Sequence, residues 1–217
     1  CIGEFHQVGN FQESLTIQKR MRSVWQHQSN VTYCLFGSRK HMMESLFLER
    51  SYPFYKFGDI VPINPIEEQK WVPYILDGFA SEGKTIDEPM AARICQKVSL
   101  HPSYIQQLAW LTLVNTRNVV TESILEQAFQ DLLQENSPLF TSQTEHLTSY
   151  QLNFLRALLS GVHKDFAKSA IREEYNLGSP TNIKRIISSL TNAELIDTTS
   201  DGVVIADPVM EIWLKGV

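Results

Sequence analysis

Glu4 and Ser38 are the side chains best placed to do chemistry. Glu4 follows the apolar stub Cys1-Ile2 and Gly3, and Ser38 follows the apolar run VTYCLF (residues 31–36) and Gly37. If both runs are strands, each side chain stands at a carboxyl end, where open α/β sheets bind their ligands. A carboxylate there can orient a water toward a phosphate, and a hydroxyl beside it can hold that water or report on the phosphate. Plainer roles exist for both. Glu4 also fits a solvated loop acid, and Ser38 fits a strand-to-helix cap.

The elements that must position these groups follow from periodicity. Residues 12–28 carry Leu15, Ile17, Met21, Val24 and Trp25 at nearly helical spacing. The VTYCLF run is β-branched, aromatic and apolar throughout, as in a buried strand of a parallel sheet. Residues 42–48 read as helix, and residues 59–63 as a second short strand. Strand stub, helix, strand, helix, strand implies a sheet with crossover helices over residues 1–64. Asn64-Pro65 breaks the chain. Residues 65–136 then read as four helices (67–79, interrupted by Pro73; 87–98; 102–116; 121–134), enough for a small bundle. Residues 137–145 are polar and read as a linker. Residues 146–217 give helix (149–159), helix (169–175), a Gly178-Ser179-Pro180 turn, helix (181–193), a hairpin turning at Ser200-Asp201-Gly202, and a last helical turn (209–214). That order is the winged-helix arrangement. The expected fold class is therefore an α/β remnant of a parallel sheet, an all-α bundle and a C-terminal winged helix, mostly helical overall. A chain that opens on Cys1 inside an apparent strand is expected to be a fragment or a processed form.

At this point the chain resembles a known family. Ile2-Gly3-Glu4-Phe5-His6-Gln7, Leu35-Phe36-Gly37-Ser38-Arg39 and Val98-Ser99-Leu100-His101-Pro102-Ser103-Tyr104 occur in the order, and before the kind of ending, found in prokaryotic AAA+ ATPases of the STAND group, the archaeal-type ATPases. The resemblance covers nearly the whole chain. It implies that the first segment is the Walker B strand, which in the family ends in Asp-Glu-Phe-Gln. Glu4 stands at the water-orienting Glu, while the metal-binding Asp is replaced by Gly3. It implies that Ser38 is sensor 1, and that Lys56, in Tyr52–Phe57, takes the place of a phosphate-facing arginine, though lysine lacks that residue's bidentate fork. His101 and Pro102 match a Gly-Gly-His-Pro turn of the lid, in which Ser99 and Leu100 replace the glycines. A helix N-terminus with an imidazole beside it can contact an anion, or His101 can simply cap the helix. The family's cofactors are ATP and Mg²⁺. No G-x-x-x-x-G-K-S/T occurs in these residues. The resemblance thus implies that ATP and ADP are ligands of a full-length parent ATPase. The chain itself, lacking that loop, is expected to be inactive alone and to hold no cofactor tightly.

In the family the winged helix folds back on the ATPase core as a switch, so an intramolecular or protein contact is expected. The alternative is a winged-helix DNA-binding transcriptional regulator. Its recognition helix would offer Asn182, Lys184, Arg185 and Ser188 to phosphates and base edges. The charge balance is lean for that role. Residues 146–217 carry seven Lys or Arg against eight Asp or Glu, and the net charge of the chain is -5. Six scattered histidines and three cysteines make neither a metal-ligand spacing nor a disulfide framework, so no metal site is expected. The cysteine usage suits a reducing cytoplasm, and no run is long enough to imply a membrane partner. The four tryptophans, Trp25, Trp71, Trp110 and Trp213, read as core anchors.

Overall fold

The computed structural model describes residues 1–216. The chain divides into two compact units, Cys1–Asn64 and Pro65–Val217.

In the first unit, Phe5–Asn10 forms a 3-10 turn, followed by α1 (Ser14–Trp25) and α2 (Lys40–Leu48). A small aromatic core holds them together. Phe5, Phe47 and Phe54 are buried, and Phe54 meets Phe5 and Phe57 edge-on at 5.3 Å each. Arg22 on α1 ties down the 52–57 loop, its Nη1 donating to the carbonyls of Pro53 (2.5 Å) and Tyr55 (2.9 Å).

The expected parallel sheet is reduced here to one parallel bridge, Ile2↔Leu35. Ile2 N donates to Cys34 O (2.8 Å), Phe36 N to Ile2 O (3.1 Å) and Phe5 N to Phe36 O (3.0 Å). The VTYCLF run is no buried strand: Val31 and Phe36 are 44% and 51% exposed. Residues 59–63, expected as a further strand, are irregular and exposed, Ile63 at 93%. The physical reason is common to both. A parallel strand is stabilised by ladder bonds on its flanks and by covered faces, and these segments find one backbone neighbour or none among the described residues.

The second unit is helical, with one hairpin. Its helices are α3 (Glu68–Ser81), α4 (Glu88–Lys97), α5 (Pro102–Asn115), α6 (Glu122–Thr144), α7 (Ser149–Leu159), α8 (Ser169–Glu174), α9 (Pro180–Asn192) and α10 (Pro208–Gly216). Side chains start several of them. Asp87 Oδ1 accepts from Met90 N (2.8 Å), Ser179 Oγ accepts from Asn182 N (3.2 Å), and Thr148 with Gln151 forms a capping box. Pro73 does not interrupt α3; its ring only removes one internal bond near the start of the helix. Residues 137–145, expected as a linker, instead prolong α6 through Pro138 to Thr144. Phe140 explains this: it is fully buried and packs on Trp213 of α10 at 5.6 Å, and that tertiary contact outweighs the proline. A parallel bridge, Thr85↔Val119, joins the loops that enter α4 and α6.

The hairpin pairs β1 (Ile196–Thr199) with β2 (Gly202–Ile205), Ile196 opposite Ile205 and Thr199 opposite Gly202. Gly202 has φ +126°, and a Cβ there would run into the His163 carbonyl oxygen, so both backbone and space demand glycine. Val203 N donates to that same carbonyl at 2.9 Å. One continuous core runs from Trp71 and Ile75 through Leu108, Leu125 and Phe154 to Leu190 and Val209, so the bundle and the winged helix bury a shared interior. Trp71 is 6% exposed, as expected of an anchor, but Trp110 is 63% exposed. The buried stripe of α5 is Tyr104, Ile105, Leu108 and Thr112, and position 110 points away from it. Among the described residues no helix is long and apolar enough to cross a membrane.

Candidate functional site

The parallel bridge sets two chain ends side by side. After Ile2 the backbone turns: Glu4 takes φ 49°, ψ 35°, a left-handed conformation uncommon for a residue with a Cβ. That turn sends its carboxylate back toward the neighbouring segment. There Ser38 Oγ lies 3.4 Å from Glu4 Oε2, and His6 Nδ1 lies 3.5 Å from the same oxygen. Glu4 and Ser38, 34 residues apart, thus meet at the tips of two parallel segments. Gly3 borders Phe36, whose ring atoms would stand 3.0 Å from a Cβ added at position 3. An aspartate there would therefore have to displace the Phe36 ring.

His6 is the residue that sequence reasoning missed. It is 1% exposed, and its Nδ1 has no hydrogen-bond partner, while Nε2 lies 3.2 Å from Gln7 Nε2. The available signal was its position, two residues beyond Glu4, where the resembled pattern has Gln.

Lys56 stands apart from this pair in its contacts. Its backbone is also left-handed (φ 53°), its N–H donates to Phe47 O, and its ammonium lies 5.5 Å from the centre of the Tyr55 ring.

The second unit carries His101 and Pro102 at the start of α5. His101 occupies the N-cap position without a side-chain cap bond; its exposed ring lies instead on Tyr104, centroids 4.7 Å apart. Pro102 is the first residue of the helix. Ser99 and Leu100 just before it both have positive φ, 50° and 60°. Two consecutive left-handed residues are conformations that glycine adopts without strain, and these are the positions where the resembled turn has glycines.

Tyr104 connects this turn to the winged helix. Its hydroxyl donates to Asp207 Oδ2 at 2.5 Å, while Asp207 Oδ1 accepts from Val209 N (2.8 Å) and Met210 N (2.9 Å) at the start of α10. Burial first, then the hydrogen bond to the Asp207 carboxylate, holds the Tyr104 hydroxyl well above the ordinary phenol range. Trp213 Nε1 adds a bond to Ser137 Oγ (3.1 Å).

On α9, Thr181, Lys184, Arg185 and Ser188 are exposed. Asn182 is half-buried and already used: its Nδ2 donates to Leu177 O (3.0 Å), and its Oδ1 accepts from Arg185 Nη2 (3.2 Å). A shallow groove of about 580 Å³ along α6, lined by Gln134, Ser137, Thr141 and Glu145 among others, contains none of the candidate residues.

These features define a mostly helical protein with a winged-helix end. A family described as "Probable winged helix domain" matches residues 138–216. A solved structure of a Walker-type ATPase of Pyrococcus abyssi is similar over 98% of this chain, with a TM-score of 0.75 and 17% sequence identity. The chain spans 61% of that protein's length. No curated protein matches the sequence.

Proposed function

We propose that this chain is the C-terminal portion of a nucleotide-dependent ATPase of the AAA+/STAND kind, in which the helical bundle is the lid and the winged helix a regulatory element. The observation that carries this is the Glu4–Ser38 apposition, 3.4 Å at the tips of two parallel segments. In this role Glu4 orients the attacking water and Ser38 faces the terminal phosphate, while the start of α5 offers an anion contact of its own through His101 and Pro102. Lys56 has the weakest part, since its ammonium rests on Tyr55. Magnesium fits poorly, because Gly3 offers no carboxylate where the resembled motif places its metal ligand. The left-handed pair Ser99-Leu100 supports the lid assignment, as it reproduces the backbone that a Gly-Gly turn would give. Regulation through the winged helix is supported by the Tyr104–Asp207 and Trp213–Ser137 bonds, which tie it to the bundle rather than leaving it on a tether.

The test is made on the longest natural protein that contains this chain. ATP binding there, with turnover reduced on the order of 100-fold or more by Glu4→Gln, supports the proposal. A parent that binds no ATP, or whose preceding residues contain no phosphate-binding loop, refutes it.

DNA binding is a second reading favoured by one observation. Lys164 packs beside the wing, its Cγ 3.0 Å from where a Cβ on Gly202 would stand, and so brings to the hairpin a cation that its own sequence lacks.

A further inference from the structure

We infer that Cys1 and Cys34 form a reversible disulfide across the parallel bridge, made and broken by exchange with small disulfides and thiols of the glutathione class. The register brings the two cysteines together. Ile2 pairs with Leu35, Ile2 N donating to Cys34 O (2.8 Å) and Phe36 N to Ile2 O (3.1 Å). One step back along both segments sets Cys1 beside Cys34, and one step forward sets Gly3 beside Phe36. The second pair fixes the face. The Phe36 ring lies 3.0 Å from where a Cβ on Gly3 would stand, so positions 3 and 36 point the same way. Side chains alternate along extended chain, so Cys1 and Cys34 share that face, while Leu35 turns to the other side and packs on the aromatic core. Neighbouring strands lie about 4.8 Å apart, inside the Cα separation of about 4.4–6.8 Å that a disulfide spans. Both thiols are free and exposed, whereas Cys95 is buried.

In the forming direction, one of the two cysteine thiolates attacks a sulfur of the small disulfide and expels the first small thiolate, leaving a mixed disulfide on the protein. The other cysteine then attacks the protein sulfur of that mixed disulfide, making the Cys1–Cys34 bond and expelling the second small thiolate. Two protein thiols are oxidised, and one small disulfide is reduced to two thiols. The protons lost by the cysteines end on the departing thiolates. Exposure leaves the bond open to attack in the reverse direction, as in labile, regulatory disulfides rather than buried structural ones. The bond closes a loop that contains α1. It also adds a covalent tie behind the place where Glu4 and Ser38 meet, three and four residues beyond the two cysteines. The inference rests on the Ile2↔Leu35 register and needs no nucleotide, so it goes beyond the proposed function.

The test equilibrates the 217-residue chain with a series of glutathione and glutathione disulfide buffers, quenches it with acid, and counts thiols and maps peptides after denaturation. We expect free thiols to fall from three to one, with a linked Cys1–Cys34 peptide and no glutathione retained. Cys1→Ser and Cys34→Ser, both at exposed positions, should each abolish the linked peptide, and Cys95→Ser should leave it. The equilibrium should favour the disulfide on the order of tenfold or more in the folded chain over the same chain in guanidinium chloride, because folding holds the two thiols together. Once the bond has formed, the Phe36 amide, which donates to Ile2 O, should exchange its hydrogen more slowly than in the reduced protein. Mixed disulfides with glutathione alone, intermolecular dimers alone, or equal equilibria in the folded and unfolded chain would overturn the inference, as would an unchanged Phe36 exchange rate. ATP binding by the parent tests the proposed function separately, so either can fail without the other.

Discussion

Removing the Tyr104 hydroxyl should loosen the winged helix from the bundle by a measurable amount. Tyr104 is 6% exposed and donates at 2.5 Å to a carboxylate that also caps α10. A hydrogen bond to a charged acceptor contributes about 1.5–3 kcal/mol. Asp207 is half-buried, so water recovers part of the loss, and Tyr104→Phe should cost about 2 kcal/mol, or roughly 4–8 °C in melting temperature for a unit of this size. Asp207→Ala should cost more, since the cap is lost as well. The double variant should show a coupling energy of about 1.5–2 kcal/mol, because both single changes remove the same bond. The pH dependence supplies a second check. The folded phenol titrates above its unfolded value of about 10, so its stabilisation is complete below that pH and is lost as pH rises toward the folded value. Tyr104→Phe lacks that loss, and the stability gap between the two proteins should narrow above about pH 10. Thermal or urea unfolding with a double-mutant cycle measures all of this. A melting temperature of Tyr104→Phe within 1 °C or so of wild type, or a coupling energy near zero, would show that the bond does not join the two parts.

Ser99 is exposed with φ 50°, so Ser99→Gly should stabilise by about 0.5–1 kcal/mol in a thermal melt; Leu100→Gly, at φ 60° but packed against the core, should instead destabilise. Burial, with the nearby charge of Glu68 adding and its own backbone hydrogen bond opposing, pushes the Cys95 thiol up to about 11. A thiol reagent should therefore modify Cys1 and Cys34 in the native protein but Cys95 only on unfolding. The stabilisation held by the protonated Cys95 should be lost as pH climbs toward that value; native-state labelling of all three at one rate would contradict the packing. If the winged helix contacts DNA, Lys184→Ala with Arg185→Ala should weaken binding and flatten the salt dependence by a slope of about 2; an unchanged slope would take α9 off the phosphates.

The helical half of the molecule was legible in the amino-acid order, because its signals are local. The Thr148 box, the Asp87 and Ser179 caps, and Ile183, Ile186 and Leu190 on one stripe each mark an element within a few residues. Residues 149–159, read as helix from their apolar spacing, are α7 at the same boundaries. Glu4 and Ser38 were legible as candidates from their places after apolar runs, but their meeting, 34 residues apart, is a product of the Ile2↔Leu35 bridge. Where neighbours decide, sequence pattern misled. The VTYCLF run has the composition of a buried strand, yet burial depends on covering layers that its own residues cannot supply. Residues 137–145 look like a linker, yet the burial of Phe140 against Trp213 extends α6 through them. Tertiary structure alone revealed that the buried His6 Nδ1 lacks a hydrogen-bond partner, that Asn182 is spent on Leu177, and that Ser99 and Leu100 hold a glycine-like backbone. Composition and periodicity report the tendencies of a segment; partnership, exposure and backbone strain belong to pairs of segments, and exist only once the chain has brought them together.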